Sequence, residues 1–213
     1  MKNKQKSSTF TSNSYKLNDW PWSGPCPKFI YNDNFNWPSI SVVIPSFNQG
    51  DFLEKTIRSV LMQNYPKLEL IVVDGGSSDQ SLKIIKRYSD RLDFWVSEKD
   101  KGQANAINKG FKNAKGDIFY WINSDDYMLP KALYHVGSFK WGNHIGAVVG
   151  IGHKVDKNGV IKYTPKIKEL TFEAFLRWLG YGNFMQPACF FSSKAWYECG
   201  PLNESLHYCL DVD

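Results

Sequence analysis

Short apolar segments alternate with segments of helical periodicity between residues 39 and 122, and this alternation is the strongest constraint on the fold. The apolar segments span residues 40–44, 68–73, 94–96 and 118–122. Between them, apolar residues recur at roughly three- to four-residue spacing, as on the buried face of a helix. Strands that are apolar throughout are covered on both faces. The pattern therefore predicts an α/β fold with a mostly parallel, Rossmann-like sheet covered by helices.

Local signals predict where several of these elements begin and end. Pro45 is expected to stop the first strand, because proline cannot donate to a sheet. Ser77 and Gln80 form a capping-box pattern, which predicts a helix over 78–88. Apolar spacing predicts another helix over 104–114.

The second half of the chain gives mixed signals. Strands are expected over 146–151 and 187–191. Asn158 and Gly159 form a dipeptide typical of a type I′ hairpin, and Thr171 has the chemistry of a helix cap. We therefore expect a mixed half to follow the parallel one.

The first 38 residues differ in composition from the rest. Residues 1–19 are rich in Ser, Asn, Lys and Thr, a composition that buries too little surface to order itself. Residues 20–38 carry the aromatic residues Trp20, Trp22, Phe29, Tyr31, Phe35 and Trp37 among Pro and Asn. We predict an irregular extension over 1–38 that packs against a domain over 39–213. The chain stops at Asp213 without a helix stop signal, which predicts a domain truncated at its C-terminus.

Charge is concentrated near the N-terminus. The formal net charge is +5, and the only charged residues among the first 16 are lysines at positions 2, 4, 6 and 16. The remaining chain carries 22 basic against 21 acidic residues. Binding to nucleic acid needs a basic face on the folded part, so nucleic acid is not an expected partner.

The sequence also predicts a cytoplasmic protein without a transmembrane segment. No run approaches the ~18 consecutive apolar residues of a membrane-spanning helix, and the polar N-terminus lacks the apolar core of a secretory signal. The cysteines Cys26, Cys189, Cys199 and Cys209 form no Cys-x-x-Cys pair. We expect reduced, mostly buried thiols, as in a reducing compartment.

Polar, sharply turning sequence follows three of the predicted strands, at 45–48, 74–77 and 123–126. Open α/β sheets bind ligands at the carboxyl ends of their strands, so these loops predict a site. The third loop ends in Asp125 and Asp126. Adjacent carboxylates repel, and Mg²⁺ or Mn²⁺ shared with substrate phosphates removes that conflict. Ordinary turns, or a cap for the following helix, are the alternative interpretation of these residues.

Six motifs in a fixed order point to a known family. They are SVVIPSFN (41–48), QNYP (63–66), VVDGGSSD (72–79), EKDKGQANAINKG (98–110), GDI (116–118) and NSDD (123–126). In this order they resemble the nucleotide-binding half of inverting family-2 glycosyltransferases with the GT-A fold. The resemblance extends from about residue 39 to residue 213.

The resemblance implies a role for each matching position around the nucleotide. Pro45, Ser46 and Asn48 would cradle the nucleotide. Asp74 would read the edge of the base. Lys101 stands where the family often has a basic residue near the nucleotide.

It also implies the reactive groups. Asp126 would be the main metal ligand of the family's Asp-x-Asp-type motif, and Asp125 would face the ribose and the metal shell. Asn123 stands where that motif has its first Asp, and Gly75 stands where many relatives have a second Asp. Asp211 best matches the family's catalytic base.

The function implied is metal-assisted transfer of a sugar, with inversion, from a nucleoside-diphosphate donor such as UDP-sugar. The acceptor would be a hydroxyl of a glycan or lipid-linked molecule in polysaccharide biosynthesis, with peripheral membrane association as a further expectation. Transfer by the chain itself is expected to be weak. Alternatives are a non-catalytic nucleotide-sugar-binding module and a sugar nucleotidyltransferase. The loop over 45–51 has one glycine and no basic residue, which disfavours the latter because it would have to hold a triphosphate.

Overall fold

The four apolar segments of the first half form parallel strands. The computed structural model describes residues 19–156, 158–167, 171–175 and 184–206. Strands β1 to β4 are Ile40–Ser46, Leu68–Asp74, Phe94–Ser97 and Ile118–Trp121. They pair in parallel in the order β3-β2-β1-β4. The predicted α/β class is confirmed, and the chain order reverses direction across the sheet at β1.

The second half adds β5 (Ala147–Val149), β6 (Lys154–Val155), β7 (Ile161–Tyr163) and β8 (Cys189–Ser192). β8 lies antiparallel to β4 and β5 and completes a six-stranded sheet. β6 and β7 form a separate hairpin. The predicted mixed half is confirmed, although β5 is shorter than expected.

The hairpin predicted at Asn158 and Gly159 exists, but its loop is not a two-residue turn. The Asp156 N–H donates to the Val160 carbonyl at 3.0 Å. The Asp156 carboxylate accepts from the N–H groups of Asn158 and Val160 at 2.9 and 3.0 Å. This side chain therefore closes a wider loop than the dipeptide alone indicates.

The prediction that Pro45 ends the first strand is wrong. β1 continues to Ser46, and Pro45 lies opposite Val73 in the ladder with β2. The Val43 carbonyl accepts from the Ile122 N–H on the β4 side. The backbone groups of every second residue point to the same neighbouring strand, so the backbone nitrogen of Pro45 also points to the β4 side. Pairing with β4 ends at Val43. Proline has no N–H to donate, but no hydrogen bond is lost, because β4 does not pair with β1 at this position.

Helices cover both faces of the parallel sheet, as predicted. They are α1 (Gly50–Leu61), α2 (Ser81–Tyr88), α3 (Gln103–Asn113), α4 (Ala132–Ser138), α5 (Phe172–Phe175) and α6 (Ser193–Cys199). Val42 and Ile44 of β1 pack in the core with α1, α2 and α4, whereas Val43 packs in the core on the opposite face with α3. Thr171 caps α5 as expected, because its hydroxyl accepts from the Ala174 N–H at 3.2 Å.

α2 begins three residues later than predicted, at Ser81, and has no side-chain hydrogen bond at its cap. The capping-box prediction is wrong because the Ser77 hydroxyl donates to the Asp74 carboxylate instead. A hydrogen bond within the loop after β2 therefore overrides the capping pattern.

The aromatic segment packs against the domain through only part of its rings. Trp20, Tyr31 and Trp37 are buried, with Trp20 only 1% exposed. Phe29 is 86% exposed, and Trp22 covers the guanidinium of Arg58 at 4.2 Å. The prediction that this segment wraps onto the domain is confirmed for the buried rings.

The described cysteines are free but not uniformly buried. Cys26 is buried, Cys189 is half-buried, and Cys199 is exposed, contrary to expectation. Cys209 lies outside the described residues. Within the described ranges, the helices are all too short or too polar to cross a bilayer.

We expect Gly110→Ala to destabilise the protein. A Cβ atom at Gly110 would lie 2.3 Å from Val43 Cγ1, so α3 would have to move away from β1. Such overpacking costs about 1–3 kcal/mol in the free energy of unfolding, measurable by urea denaturation. Gly142→Ala is the control, because a Cβ there meets nothing within 4 Å. An equal effect of both substitutions would contradict this packing.

Candidate active site

A cavity of about 760 Å³ lies at the carboxyl ends of the parallel strands. Four stretches of chain form its walls: the end of β1 and the loop after it (Pro45, Ser46, Phe47 and Gln49), the loop after β2 (75–76), the start of α3 and the residues before it (Lys99, Asp100, Gly102, Gln103 and Ala106), and the loop after β4 (123–125). The site lies beside β1, where the strand order reverses. It is therefore in the place where open α/β sheets bind ligands, and its size suits a small organic ligand.

The last residue of β1 supplies an unpaired hydroxyl to this cavity. Ser46 is 4% exposed, and its Oγ has no hydrogen-bond partner among the described residues. A buried polar group without a partner costs about 1–3 kcal/mol. Pro45 is buried beside it, and both residues line the cavity, whereas their contact with a nucleotide stays a prediction. A polar ligand in the cavity could satisfy this hydroxyl.

Asn48 lies outside the cavity wall and joins two loops. Its N–H donates to Ser77 Oγ at 2.7 Å, and its amide oxygen accepts from the Ser78 N–H at 2.9 Å. Its backbone is left-handed, with φ of 52°. The structure thus gives Asn48 a part in shaping the site, and its contact with a nucleotide stays a prediction.

Asp74 is fully buried, and its carboxylate turns toward its own loop. The carboxylate accepts from the N–H groups of Gly76 and Ser77 at 3.2 and 2.9 Å, and from the hydroxyls of Ser97 and Ser77. Gly75, not Asp74, lines the cavity. Asp74 organises this loop, and its contact with a base stays a prediction.

Two charged residues after β3 line the cavity, and sequence reasoning missed both. They are Lys99 and Asp100, whereas Lys101 is exposed and outside the wall. A Cβ atom at Gly75 would lie 2.8 Å from the Asp100 carboxylate. The glycine therefore makes room for Asp100. The motif over 98–110 marked this region without showing which of its charges face inward.

The acidic loop after β4 places one carboxylate in the cavity wall and one behind it. Asp125 is exposed and lines the cavity. Asp126 is half-buried, and its pKa is raised to about 6, first by burial and then by the charge of Asp125. The charge of Asp125 therefore adds to the cost of ionising Asp126 that burial already imposes.

Asn123 is oriented as a donor to the acidic loop. The Gln103 side-chain amide donates to Asn123 Oδ1 at 2.6 Å. The Asn123 side chain in turn hydrogen-bonds Asp126 and lowers the pKa of that carboxyl in part. An amide between a donor and a carboxylate suits both contacts. The departure from Asp at position 123 thus gives a residue that supports the carboxylate of Asp126.

Buried polar side chains of α1 hold this loop from beneath. The Thr56 hydroxyl lies 2.7 and 2.6 Å from the carbonyl oxygens of Ser124 and Asp126. Ser59 Oγ accepts from the Met128 N–H at 2.9 Å. Sequence reasoning missed this support because it traced α1 only by its apolar residues.

The residues present fit a divalent cation shared with a ligand. The described ranges hold no group of three or more His, Cys, Asp or Glu that could ligate a metal alone. Mg²⁺ and Mn²⁺ are commonly held by one or two carboxylates together with substrate phosphates. Asp125 and Asp126 offer that number of carboxylates beside an open cavity. Asp211 lies outside the described residues.

We expect Asp126→Asn to stabilise the metal-free protein at neutral pH. The pKa of Asp126 is about 6 in the fold and about 3.9 in an unfolded chain. The fold therefore favours the protonated form, and stability falls as pH rises from about 4 to 6. Urea unfolding in EDTA should show a gain of about 1–2 kcal/mol at pH 7.5, discounted for partial exposure, and little at pH 4. An equal loss of stability at both pH values would contradict this account.

Comparison with known families decides the classification. Residues 41–200 match the family model described as glycosyl transferase family 2. The chain belongs to this family. The resemblance to family-2 glycosyltransferases that the sequence motifs indicated is thereby confirmed.

Uncharacterized glycosyltransferases of Rickettsia are among its relatives. One from Rickettsia typhi is 32% identical over 126 residues, which cover 59% of this chain and 36% of that protein. One from Rickettsia felis is 29% identical over 193 residues, covering 84% of this chain and 31% of that protein. This family-2 chain therefore spans about a third of the length of the curated relatives it matches.

Solved structures share the GT-A fold at low identity. S. aureus TarS 1-349 in complex with UDP has a TM-score of 0.65 and 22% identity, covering 82% of this chain and 53% of that one. Mannosyltransferase PcManGT from Pyrobaculum calidifontis, in complex with GDP-Man and Mn²⁺, has a TM-score of 0.60 and 20% identity. That match covers 83% of this chain and 50% of that one. The predicted GT-A architecture is confirmed.

Proposed function

We propose that this chain binds a nucleoside-diphosphate sugar together with Mg²⁺ or Mn²⁺ and transfers the sugar to an acceptor hydroxyl. The observation that carries the proposal is the pair formed by Asp125 in the cavity wall and the half-buried Asp126 behind it, whose pKa is raised to about 6 by burial and by the charge of Asp125. A bound cation would favour the ionised form of both carboxylates. The cavity beside it has room for a nucleotide.

The charges of the cavity wall support a metal-assisted donor site. Asp100 and Asp125 are its carboxylates, and Lys99 is the one cation among the described lining residues. A diphosphate is strongly anionic, so this wall alone would repel it. A divalent cation at Asp125 and Asp126 reverses the local sign. The cation and the diphosphate are therefore expected to bind together.

The residues of the chain have distinct parts in this proposal. Asp126 and Asp125 would hold the cation, which acts as a Lewis acid for the charge that develops on the leaving diphosphate. The unpaired Ser46 hydroxyl would bond the nucleotide, with Pro45 forming the adjacent wall. Asn48 and Asp74 would keep the two loops in shape, and the charge of Lys101 would lie near the nucleotide.

Asp211 is proposed as the general base. An aspartate near its usual pKa of ~3.9 is ionised at neutral pH and can accept the proton of the attacking hydroxyl. Attack on the anomeric carbon from the side opposite the diphosphate breaks the C–O bond in one step. The anomeric configuration is then inverted.

UDP-sugar is the proposed donor, and a glycan or lipid-linked hydroxyl is the proposed acceptor, as in polysaccharide biosynthesis in the cytoplasm. Support for the donor class comes from the shared fold, since a solved neighbour contains UDP and another contains GDP-Man with Mn²⁺. The acceptor is proposed from family membership alone.

A nucleotide panel tests this function. Calorimetric titration of UDP, GDP, ADP and CDP in Mn²⁺ should give the tightest binding for UDP. The same titrations in EDTA should show a large loss of affinity for the preferred nucleotide. The proposal fails if no nucleoside diphosphate binds in Mn²⁺, or if EDTA leaves the affinity unchanged.

A further inference from the structure

The connection that follows the acidic loop is contacted by chain that precedes the family match. The match begins at residue 41, whereas Trp20 is buried, with 1% of its surface exposed. The Trp20 indole N–H donates to the Met128 carbonyl at 2.7 Å, across 108 positions of sequence. Met128 lies two residues after Asp126. The contact therefore fixes the backbone immediately behind the proposed metal ligand.

Cys26 makes a second contact with the same connection. Its Sγ accepts from the Lys131 N–H at 3.3 Å. Lys131 has a left-handed backbone, with φ of 65°, a conformation that costs a non-glycine residue about 1–2 kcal/mol. The thiol thus helps to hold a strained turn at the start of α4.

The segment that makes these contacts is itself anchored. The Cys26 N–H donates to the Met62 carbonyl at 2.7 Å, and the Asn64 side chain donates to the Cys26 carbonyl at 2.7 Å. Both partners follow the end of α1. Since α1 also supports the acidic loop through Thr56, the loop is held between the helix and the segment.

We propose that residues 20–26 act as a clamp that positions the metal-binding loop, with Trp20 and Cys26 as positioning residues. The inference rests on the proposed function, since it assigns the clamp a role in metal-dependent nucleotide binding. Asp125 and Asp126 repel each other, and a loop free to relax would separate them. Holding the backbone at Met128 and Lys131 keeps both carboxylates in place before the cation arrives, so less ordering is needed on binding.

The test compares two tryptophan substitutions in the full chain. Trp20→Phe keeps a ring but removes the donor to Met128. Trp37→Phe is the matched control, because the Trp37 indole donates at 3.0 Å to the Asn32 carbonyl, and both residues lie outside residues 20–26. Trp20→Phe should weaken UDP binding in Mn²⁺ by about tenfold and leave UDP binding in EDTA unchanged. Trp37→Phe should lower the melting temperature without changing the ratio of the two affinities.

A second variant and a second readout keep the test decisive. Cys26→Ala should lower the ratio of UDP affinity in Mn²⁺ to UDP affinity in EDTA, by a smaller factor than Trp20→Phe does. It replaces Trp20→Phe as the test variant if Trp20→Phe does not fold. Hydrogen exchange of the ligand-free protein should be faster over residues 123–131 in Trp20→Phe than in Trp37→Phe.

The outcomes separate the clamp from the function on which it rests. Equal affinity ratios in wild type, Trp20→Phe and Cys26→Ala overturn the clamp. So does unchanged exchange over residues 123–131. If hydrogen exchange is faster in Trp20→Phe but the wild-type protein binds no UDP, the proposed function is overturned. The clamp then holds the loop in place without a role in nucleotide binding.

Discussion

Asp126→Ala should abolish the part of UDP affinity that depends on Mn²⁺. The variant loses the half-buried carboxylate that, with Asp125, would hold the cation. An ion pair at close range is worth about 1–4 kcal/mol near a protein surface, so we expect a loss of about 5- to 700-fold in Mn²⁺. Calorimetric titration of UDP in Mn²⁺ and in EDTA measures both affinities. In EDTA, the variant should bind UDP at least as well as wild type.

Asp90→Ala is the control for this prediction, because Asp90 is an exposed carboxylate after α2, outside the cavity wall. It should leave both affinities unchanged. Equal UDP affinity of wild type and Asp126→Ala in Mn²⁺ would show that the metal binds elsewhere or is not used.

Asp211→Asn should reduce sugar transfer by about 10²–10⁴-fold, the usual contribution of a general base. The substitution removes the proton acceptor while keeping the size of the side chain. UDP affinity in Mn²⁺ should be unchanged, because the proposed donor site lies between residues 45 and 126. A transfer assay with a UDP-sugar and an acceptor, run beside a UDP titration, separates the two effects.

Asp213→Asn is the matched control for the base, two residues further along the chain. It should keep full transfer activity. Full activity in Asp211→Asn would assign the base to another residue, and a parallel loss of UDP binding would assign Asp211 to the donor site.

The strands and helices of the first half could be predicted because their signals are local. Each strand of the parallel sheet contains a run of mainly apolar residues, and α1 and α3 bury residues at helical spacing. The errors arise where contacts within the folded protein decide. Ser77 bonds Asp74 instead of capping α2, and Pro45 stays in β1 because the neighbouring ladder has already ended.

The site could be predicted to the level of its loops, but not of every side chain. Ser46 and Asp125 line the cavity as expected, whereas Asp74 turns into its own loop. The choice of Lys99 over Lys101 depends on how the chain turns before α3, which spacing alone does not determine. Support from Trp20 could not be predicted either, since it joins residues 108 positions apart.

A crystal structure of the chain with UDP and Mn²⁺ tests the central claim most directly. The account predicts UDP in the cavity beside Ser46, with Mn²⁺ held by the carboxylate of Asp126 together with the diphosphate. The Trp20 contact with Met128 should be unchanged. UDP bound outside this cavity, or a metal that contacts neither Asp125 nor Asp126, would contradict the account.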